Sequence, residues 1–150
     1  MKGGQAKSEQ KGLVKWTDAL AKFKAALVAD INASAAAPYA QQIKRKTGAV
    51  VPGSASRAND IGVELHTPFG NTPLMWTDVS SDTIYHMARY FIARPGLAVE
   101  AKAERQWQCG AFAIFAGKKT DGRALLNAAA EAKAEYKGDL PLFLGFADAP

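Results

Sequence analysis

The stretch VELHTPFGNTPLMWTDVSSDT, residues 63–83, decides the fold because its pattern changes from strand to helix. Around its start, every second residue from Ile61 to Thr67 is apolar or β-branched. This alternation is typical of a strand with one buried face and one solvent-exposed face. We therefore expect Leu65 to point inward and His66 outward.

Turn residues follow this strand at Pro68-Phe69-Gly70-Asn71. They predict a chain reversal, because glycine and asparagine accept the backbone angles of tight turns. A second short strand is then expected to run through Leu74 to Trp76. Its alternation places Trp76 on the inward face, where the indole would seal the sheet onto the core.

Ser80-Ser81-Asp82 is a strong helix start, because serine caps helix N-termini and an aspartate in the first turn complements the dipole. The helix should end before Pro95-Gly96. Its buried stripe is predicted at Ile84, Met87, Ala88, Phe91 and Ile92.

On the N-terminal side, apolar residues recur at helical spacing from Trp16 to Asn32, which predicts an amphipathic helix that ends before Pro38. Residues 43–51 predict a short strand pair or a bulged strand around Gly48. Turn residues dominate 52–60. The sequon Asn32-Ala33-Ser34 would be a glycosylation acceptor in a secreted eukaryotic protein.

On the C-terminal side, two further helices are predicted, over residues 97–116 and 123–136. Small residues at Ala124, Ala128 and Ala132 would let the second of these lie close to its neighbour. The apolar segment 140–144 either packs back onto the helices or is the start of an element that this chain lacks. The whole pattern indicates an α+β fold with an N-terminal helix, a small antiparallel sheet or partial barrel of two to four strands, and three helices.

Composition predicts a basic tail over residues 1–15 and a single domain over residues 16–150. The chain has 150 residues, 48% of them hydrophobic, which suffices for one core. The formal charge is +5, and residues 1–15 carry four lysines and one glutamate, so most of the excess lies in a tail that we expect to be flexible. No apolar run approaches the roughly 20 residues of a membrane span, and no signal peptide is recognisable. The single cysteine carries no sign of an oxidising compartment, so a cytoplasmic location is favoured.

Nothing in the sequence supports catalysis, a metal or a cofactor. Cys109 lacks a nearby base in the sequence and is expected to be buried packing. Asp82 and His86 are one helical turn apart, which favours a surface ion pair over half a metal site. The run Gly117-Lys118-Lys119-Thr120 lacks the glycine spacing of a phosphate-binding loop and predicts a turn between helices. We expect a protein that is not an enzyme.

The one dense basic cluster is Lys44-Arg45-Lys46. With Tyr39 and Phe69 nearby, it could supply phosphate contacts and an aromatic platform for a nucleic acid. Basic residues on a strand edge equally prevent aggregation through that edge. Both readings remain open at this point.

The order GAVV … IGVEL … PLMWTDVSSDTIYHMARYF resembles a module of large multidomain proteins from planctomycetes and verrucomicrobia. In that module a β-meander ends in Trp, a polar residue, Asp and an apolar residue, here Trp76, Asp78 and Val79. Helices follow, similar to AFAIFAGKKTDGRALLNAAAEAKAEY. The resemblance covers about residues 16–138 and implies an interaction or structural accessory role in a bacterial protein.

The first functional hypothesis is a non-enzymatic domain that contacts a protein partner or associates with itself, within a larger assembly or parent protein. The alternative is a small nucleic-acid-binding module that uses the basic strand edge and the N-terminal tail. No membrane insertion is expected. The predicted binding residues are Lys44, Arg45, Lys46, His66, Phe69 and Phe143.

Overall fold

A computed structural model describes the backbone of residues 2–148 and the side chains of residues 10–148. The predicted α+β class is confirmed. The helices are α1 (Lys2–Asn32), α2 (Ser81–Ile92), α3 (Val99–Phe115), α4 (Lys119–Ala132) and α5 (Leu140–Asp148). The strands are β1 (Ile43–Lys44), β2 (Val50–Val51), β3 (Ser54–Ala58), β4 (Gly62–Thr67) and β5 (Gly70–Met75). Short 3-10 helices cover Trp76–Asp78 and Ala134–Lys137.

The chain divides into two compact units. The single domain over residues 16–150 stays a prediction. Unit 1 consists of residues 1–23 and 95–150, and unit 2 consists of residues 24–94. Unit 2 contains both sheets and α2, whereas unit 1 contains α3, α4 and α5. The helix α1 contributes residues to both.

The helix α1 begins at Lys2, well before the predicted start at Trp16. The lysine, glutamine and alanine residues in this segment are good helix formers, and no proline interrupts them. The predicted buried stripe is confirmed for Trp16, Phe23, Leu27 and Ile31. The flexibility of residues 1–15 stays a prediction.

Unit 2 contains a two-stranded sheet and a three-stranded sheet, both antiparallel. The predicted strand pair around Gly48 is confirmed: β1 pairs with β2, and Gly48 takes a φ of 93° in the turn between them. The larger sheet has the order β3-β4-β5. The sequence predicted only turn residues where the edge strand β3 lies. The strand was missed because its serines and alanines have a weak strand preference of their own.

The predicted alternation in β4 is confirmed, since Val63, Leu65 and Thr67 are buried while His66 is exposed. Ile61 is the exception: it precedes β4 and is 70% exposed. The inward prediction for Trp76 is also wrong. The strand β5 ends at Met75, and the chain then turns into a 3-10 helix, which breaks the period-two alternation. The half-buried indole instead donates from Nε1 to Asn59 O at 2.8 Å.

The helix start predicted at Ser80-Ser81-Asp82 is confirmed, and of the two serines it is Ser80 that caps the helix. The Ser80 side chain accepts a hydrogen bond from Thr83 N, and Ser80 is the N-cap of α2. This bond satisfies one of the backbone donors that a helix leaves open at its first turn. The buried face of α2 includes Met87, Ala88, Phe91 and Ile92 as predicted, with Thr83 and Tyr85 in addition.

In unit 1, glycines rather than the predicted alanines bring α3 and α4 together. A Cβ on Gly110 would lie 2.9 Å from Leu126 Cγ, and one on Gly122 would lie 2.5 Å from Ile114 Cγ1. Ala124 and Ala132 are exposed instead. Helical phase decides this difference, because Gly122, Leu126 and Ala129 share one face, which points at α3.

The apolar C-terminal segment forms α5 and packs into unit 1, which confirms one of the two predicted alternatives. The core of this unit joins Trp16 of α1, Trp107 of α3, Leu126 of α4 and Phe143 of α5. The Trp107 ring lies 4.5 Å from the Phe143 ring and is stacked on Tyr136 at 4.5 Å.

Candidate functional site

The basic cluster Lys44-Arg45-Lys46 lies in unit 2, in a segment whose backbone is hydrogen-bonded on both sides. Lys44 pairs with Val50 of β2 on one side. On the other, Ser80 N donates to Lys44 O at 2.9 Å, and Lys46 N donates to Asp78 O at 2.8 Å. The side chains of Lys44 and Lys46 are exposed. The cluster therefore does not form an open strand edge, and edge protection does not explain it.

The aromatic platform predicted beside this cluster does not form. Tyr39 is 1% exposed and packs edge-on against Tyr90, so its ring is not available for stacking with a base. Phe69 precedes β5, whereas the basic cluster pairs with the segment after β5. The six residues of that strand extend about 20 Å. The length of β5 thus separates Phe69 from the cluster, and burial removes the Tyr39 ring from it.

A groove of about 510 Å³ runs over the outer face of the three-stranded sheet. Arg57, Glu64 and Pro73 are cross-strand neighbours on this face and line the groove. Its charges are mixed, since Arg45 and Asp78 also line it. Sequence reasoning missed Arg57 because it lies in the unpredicted strand β3.

The hairpin between β4 and β5 displays Phe69 at its tip, with the side chain 100% exposed. The turn is held by Thr67, whose hydroxyl donates to Gly70 O at 2.7 Å and accepts from Phe69 N at 3.1 Å. Gly70 has a φ of 118°, which favours glycine. Next to the turn, His66 Nδ1 lies 3.0 Å from Asn71 Oδ1. The predicted binding residues His66 and Phe69 therefore lie together on one ordered hairpin.

The predicted binding residue Phe143 lies in the interior of unit 1 and not on its surface. Its side chain is 1% exposed and contacts the rings of Trp16 and Trp107. The periodicity of a nine-residue apolar helix does not show which face the neighbouring helices will cover. Phe143 is a core residue of unit 1.

The residues weighed for catalysis have structural surroundings. Cys109 is fully buried, as predicted. Asp82 and His86 make the predicted surface contact, with 3.4 Å between Oδ2 and Nε2. Gly117 ends α3 with a φ of 86° in the predicted turn before α4. Among the side chains of residues 10–148 no group of three histidine, cysteine, aspartate or glutamate residues is placed to hold a metal ion.

The side chains of the glycosylation sequon, Asn32 and Ser34, make hydrogen bonds to the backbone of unit 2. Asn32 Nδ2 donates to Ala58 O at 3.0 Å, and Asn32 Oδ1 accepts from Ala58 N at 2.8 Å. Ser34 is buried, and its hydroxyl donates to Ile31 O at 2.7 Å. A glycan on the Asn32 amide would remove the hydrogen bond to Ala58 O.

Unit 1 contains a second pocket, of about 330 Å³, which sequence reasoning did not find. Its lining residues come from α1, α3 and the segments that follow α4, and four of them are acidic: Asp18, Glu104, Glu135 and Asp139. They are far apart in sequence, and only the packing of the helices brings them together. No local motif therefore signals this pocket.

Ion pairs ring this second pocket. Lys15 Nζ lies 2.7 Å from Asp139 Oδ1, and Lys133 Nζ lies 2.8 Å from Glu104 Oε1 and 3.0 Å from Glu135 Oε1. The hydrogen bond from Lys133 lowers the pKa of Glu104, and burial opposes this effect. The same contacts to Glu104 and Glu135 raise the pKa of Lys133. Glu104 is thus held as a carboxylate, which can accept further hydrogen bonds.

No protein-family model, curated protein or solved structure matches this chain. The resemblance to the planctomycete and verrucomicrobial module therefore stays a prediction. In the part of the chain that the structure describes, no helix combines the length and apolar character needed to cross a bilayer.

Proposed function

We propose that this chain is a non-enzymatic protein-interaction domain that contacts its partner through the β4–β5 hairpin. The observation that carries the proposal is the fully exposed phenyl ring of Phe69, displayed on a turn whose backbone Thr67 holds in place. Exposed apolar residues are common singly, but an aromatic ring on an ordered tip is suited to act as an anchor.

The energetics favour burial of this ring by a partner. Transfer of a phenylalanine side chain from water into an apolar pocket contributes about 1.5 to 3 kcal/mol. Because Thr67 already orders the turn, association would not have to order its backbone. Aromatic anchors of this kind supply a large share of the binding free energy in many interfaces.

The charge distribution around the hairpin favours a protein over a nucleic acid. Residues 65–77 contain no aspartate, glutamate, lysine or arginine. An apolar and neutral surface has nothing to neutralise phosphates, whereas it fits an apolar pocket on a protein. The strand β5 itself is poorly suited to accept an added strand. Trp76 N donates to Ile61 O, and in an antiparallel pair the backbone nitrogens of alternate residues point towards the partner strand. Pro73 is three residues before Trp76, so its nitrogen points away from β4 to the outer edge. Proline has no N–H that could bond an added strand there.

The test compares the wild-type chain with Phe69→Ser. After chemical cross-linking in source cells, proteins joined to the chain would be quantified, and sedimentation equilibrium would measure self-association. We expect Phe69→Ser to abolish the cross-linked partner or the dimer. A matched control is Val50→Ser, because Val50 is an exposed apolar residue of the other sheet in the same unit.

Retention of the partner by Val50→Ser and its loss in Phe69→Ser would support the proposal. Equal retention by both variants would refute a role for Phe69. A wild-type chain that stays monomeric and joins no protein would refute the interaction function as a whole.

A second candidate function is nucleic-acid binding through Lys44, Arg45 and Lys46. It is supported by Arg57, which lines the same groove as Arg45. Against it, Glu64 and Asp78 line that groove as well. Titration of labelled single- and double-stranded oligonucleotides at two salt concentrations separates the candidates, since phosphate contacts weaken steeply with salt. A measurable affinity that falls with salt and is lost in the double variant Lys44→Ala, Lys46→Ala would favour this second function.

A further inference from the structure

The second pocket, in unit 1, has the dimensions of a small-molecule site and combines polar and apolar walls. Its volume of about 330 Å³ lies at the lower end of the range for ligand pockets. Trp107, Tyr136 and Phe143 form an aromatic side. The rings of Trp107 and Tyr136 are stacked face to face, so each holds the other in place on this side of the pocket.

One of the residues that line the pocket has a buried hydrogen-bond acceptor without a donor. Gln108 lines the pocket and is only 9% exposed, and among the described residues no group donates to its Oε1. A buried polar atom without a partner costs about 1 to 3 kcal/mol, and such atoms are usually satisfied in functional states. The terminal torsion of a glutamine amide is soft, so a small rotation lets this group meet a donor that enters the pocket.

The acceptors decide which ligand fits. Four carboxylates and two lysines line the pocket, and Lys133 and Arg105 act on Glu104 from outside the lining, so the charges balance. The neighbouring acceptors Glu104 and Gln108 favour a ligand with several N–H donors and disfavour an anion. Glu104 lies one helical turn before Gln108 on α3, so its carboxylate and the Gln108 amide face the same space.

We infer that this pocket binds a small organic ammonium compound. The ammonium group lies between Glu104 and Gln108 and donates to both, while the hydrocarbon part packs against Tyr136 and Phe143. The inference is independent of the proposed function, which concerns the hairpin of unit 2.

The experiment uses three probes with five carbon atoms each: pentylamine, pentanol and pentanoate. Binding to the full chain would be measured by isothermal titration calorimetry and by NMR shifts of the tryptophan indole N–H groups. We expect pentylamine to bind more tightly than pentanol and pentanoate not to bind, with the shifts largest for Trp107.

The variant Gln108→Leu removes the acceptor, and Gln106→Leu is the matched control on the same helix, because Gln106 does not line the pocket. We expect Gln108→Leu to weaken pentylamine binding about tenfold, the loss expected for one hydrogen bond to a charged donor. Gln106→Leu should bind as the wild type does. Should Gln108→Leu fail to fold, the pentylamine affinity of Glu104→Gln would be measured instead, and we expect an equal or larger loss.

Three results would overturn the inference. One is the absence of pentylamine binding at millimolar concentration. Another is equal binding of pentylamine and pentanoate, which would show that charge does not select the ligand. The third is unchanged affinity in both Gln108→Leu and Glu104→Gln. None of these results bears on the hairpin, because Phe69 is in unit 2.

Discussion

In unit 1 large side chains bury one another, whereas in unit 2 several polar side chains bond directly to the backbone. The core of unit 1 is built from the rings of Trp16, Trp107 and Phe143, with Gly110 and Gly122 allowing close contact between α3 and α4. Such packing derives its free energy from apolar burial and from the close fit of shapes.

Unit 2 has an apolar core of its own, which includes Tyr39, Leu65 and Phe91, and adds specific hydrogen bonds to it. Asn32 bonds both backbone groups of Ala58, Trp76 Nε1 bonds Asn59 O, and Ser80 caps α2. These side-chain bonds to the backbone stabilise the loops around the short strands. The comparison teaches that unit 2, besides its apolar core, has sites where a mutation should act by leaving buried polar groups unpaired, whereas the mutations considered in unit 1 should act by creating cavities or clashes.

Trp107→Ala should have the largest effect. The side chain is buried and contacts the rings of both Tyr136 and Phe143, so its removal leaves a cavity. We expect a loss of about 3 to 5 kcal/mol in the free energy of unfolding, measured by urea denaturation. Phe115→Ala on the same helix is the control, because Phe115 is 66% exposed and should cost about 0.5 kcal/mol or less. Equal losses in the two variants would contradict the aromatic core.

Asn32→Ala tests the polar character of unit 2. It removes the partner of both Ala58 N and Ala58 O, and Ala58 is buried. We expect a loss of about 1 to 3 kcal/mol, together with faster hydrogen exchange at the Ala58 amide. Asn71→Ala is the control, because the bond of Asn71 to His66 is exposed and should be worth about 0.5 kcal/mol or less. No change in the exchange of Ala58 would break the comparison between the units.

Gly122→Ala sharpens the comparison from the side of packing. Alanine favours a helix over glycine by about 1 kcal/mol, yet its Cβ would approach Ile114 Cγ1 to 2.5 Å and Gly110 O to 2.9 Å. We expect the clash to prevail, with a net loss of about 1 to 2 kcal/mol in thermal or urea unfolding. Gly145→Ala has the opposite expected sign, because nothing lies within 4 Å of a Cβ there. A stabilised Gly122→Ala would mean that α3 and α4 are not in close contact.

Ser80→Ala should have the smallest effect of the four. It removes the side-chain acceptor of Thr83 N at the start of α2 and should cost about 1 kcal/mol. Ser81→Ala changes the exposed neighbour, which is not the cap, and should leave the stability almost unchanged. Denaturation of the two variants side by side decides whether the cap is at residue 80. A larger loss in Ser81→Ala would place it one residue later.

Local patterns predicted the elements whose causes are local. The helix start at Ser80-Ser81-Asp82 and the alternation in β4 depend on neighbours within a few residues, and both were found as predicted. The edge strand β3 was missed because its conformation depends on pairing with β4, in which Ala55 pairs with Leu65 and Ala58 pairs with Val63. Small residues without strand preference can form an edge strand where a neighbour supplies the hydrogen bonds.

The candidate site divides in the same way. His66 and Phe69 were identified correctly as lying at a turn between two strands, because hairpin signals are contained in a short window. Phe143 was assigned to the surface, although neighbouring helices cover it. The pocket around Gln108 was not predicted at all, since its acidic lining residues range from Asp18 to Asp139 along the chain.

The amino-acid sequence by itself determined the α+β class, the place of most helices and the hairpin that displays Phe69, because periodicity, caps and turn residues act over short distances. The tertiary structure alone decided which apolar faces are covered, which residues pair across strands and which charges share a pocket. These properties depend on contacts between residues far apart in sequence, for which a single chain carries no local signal.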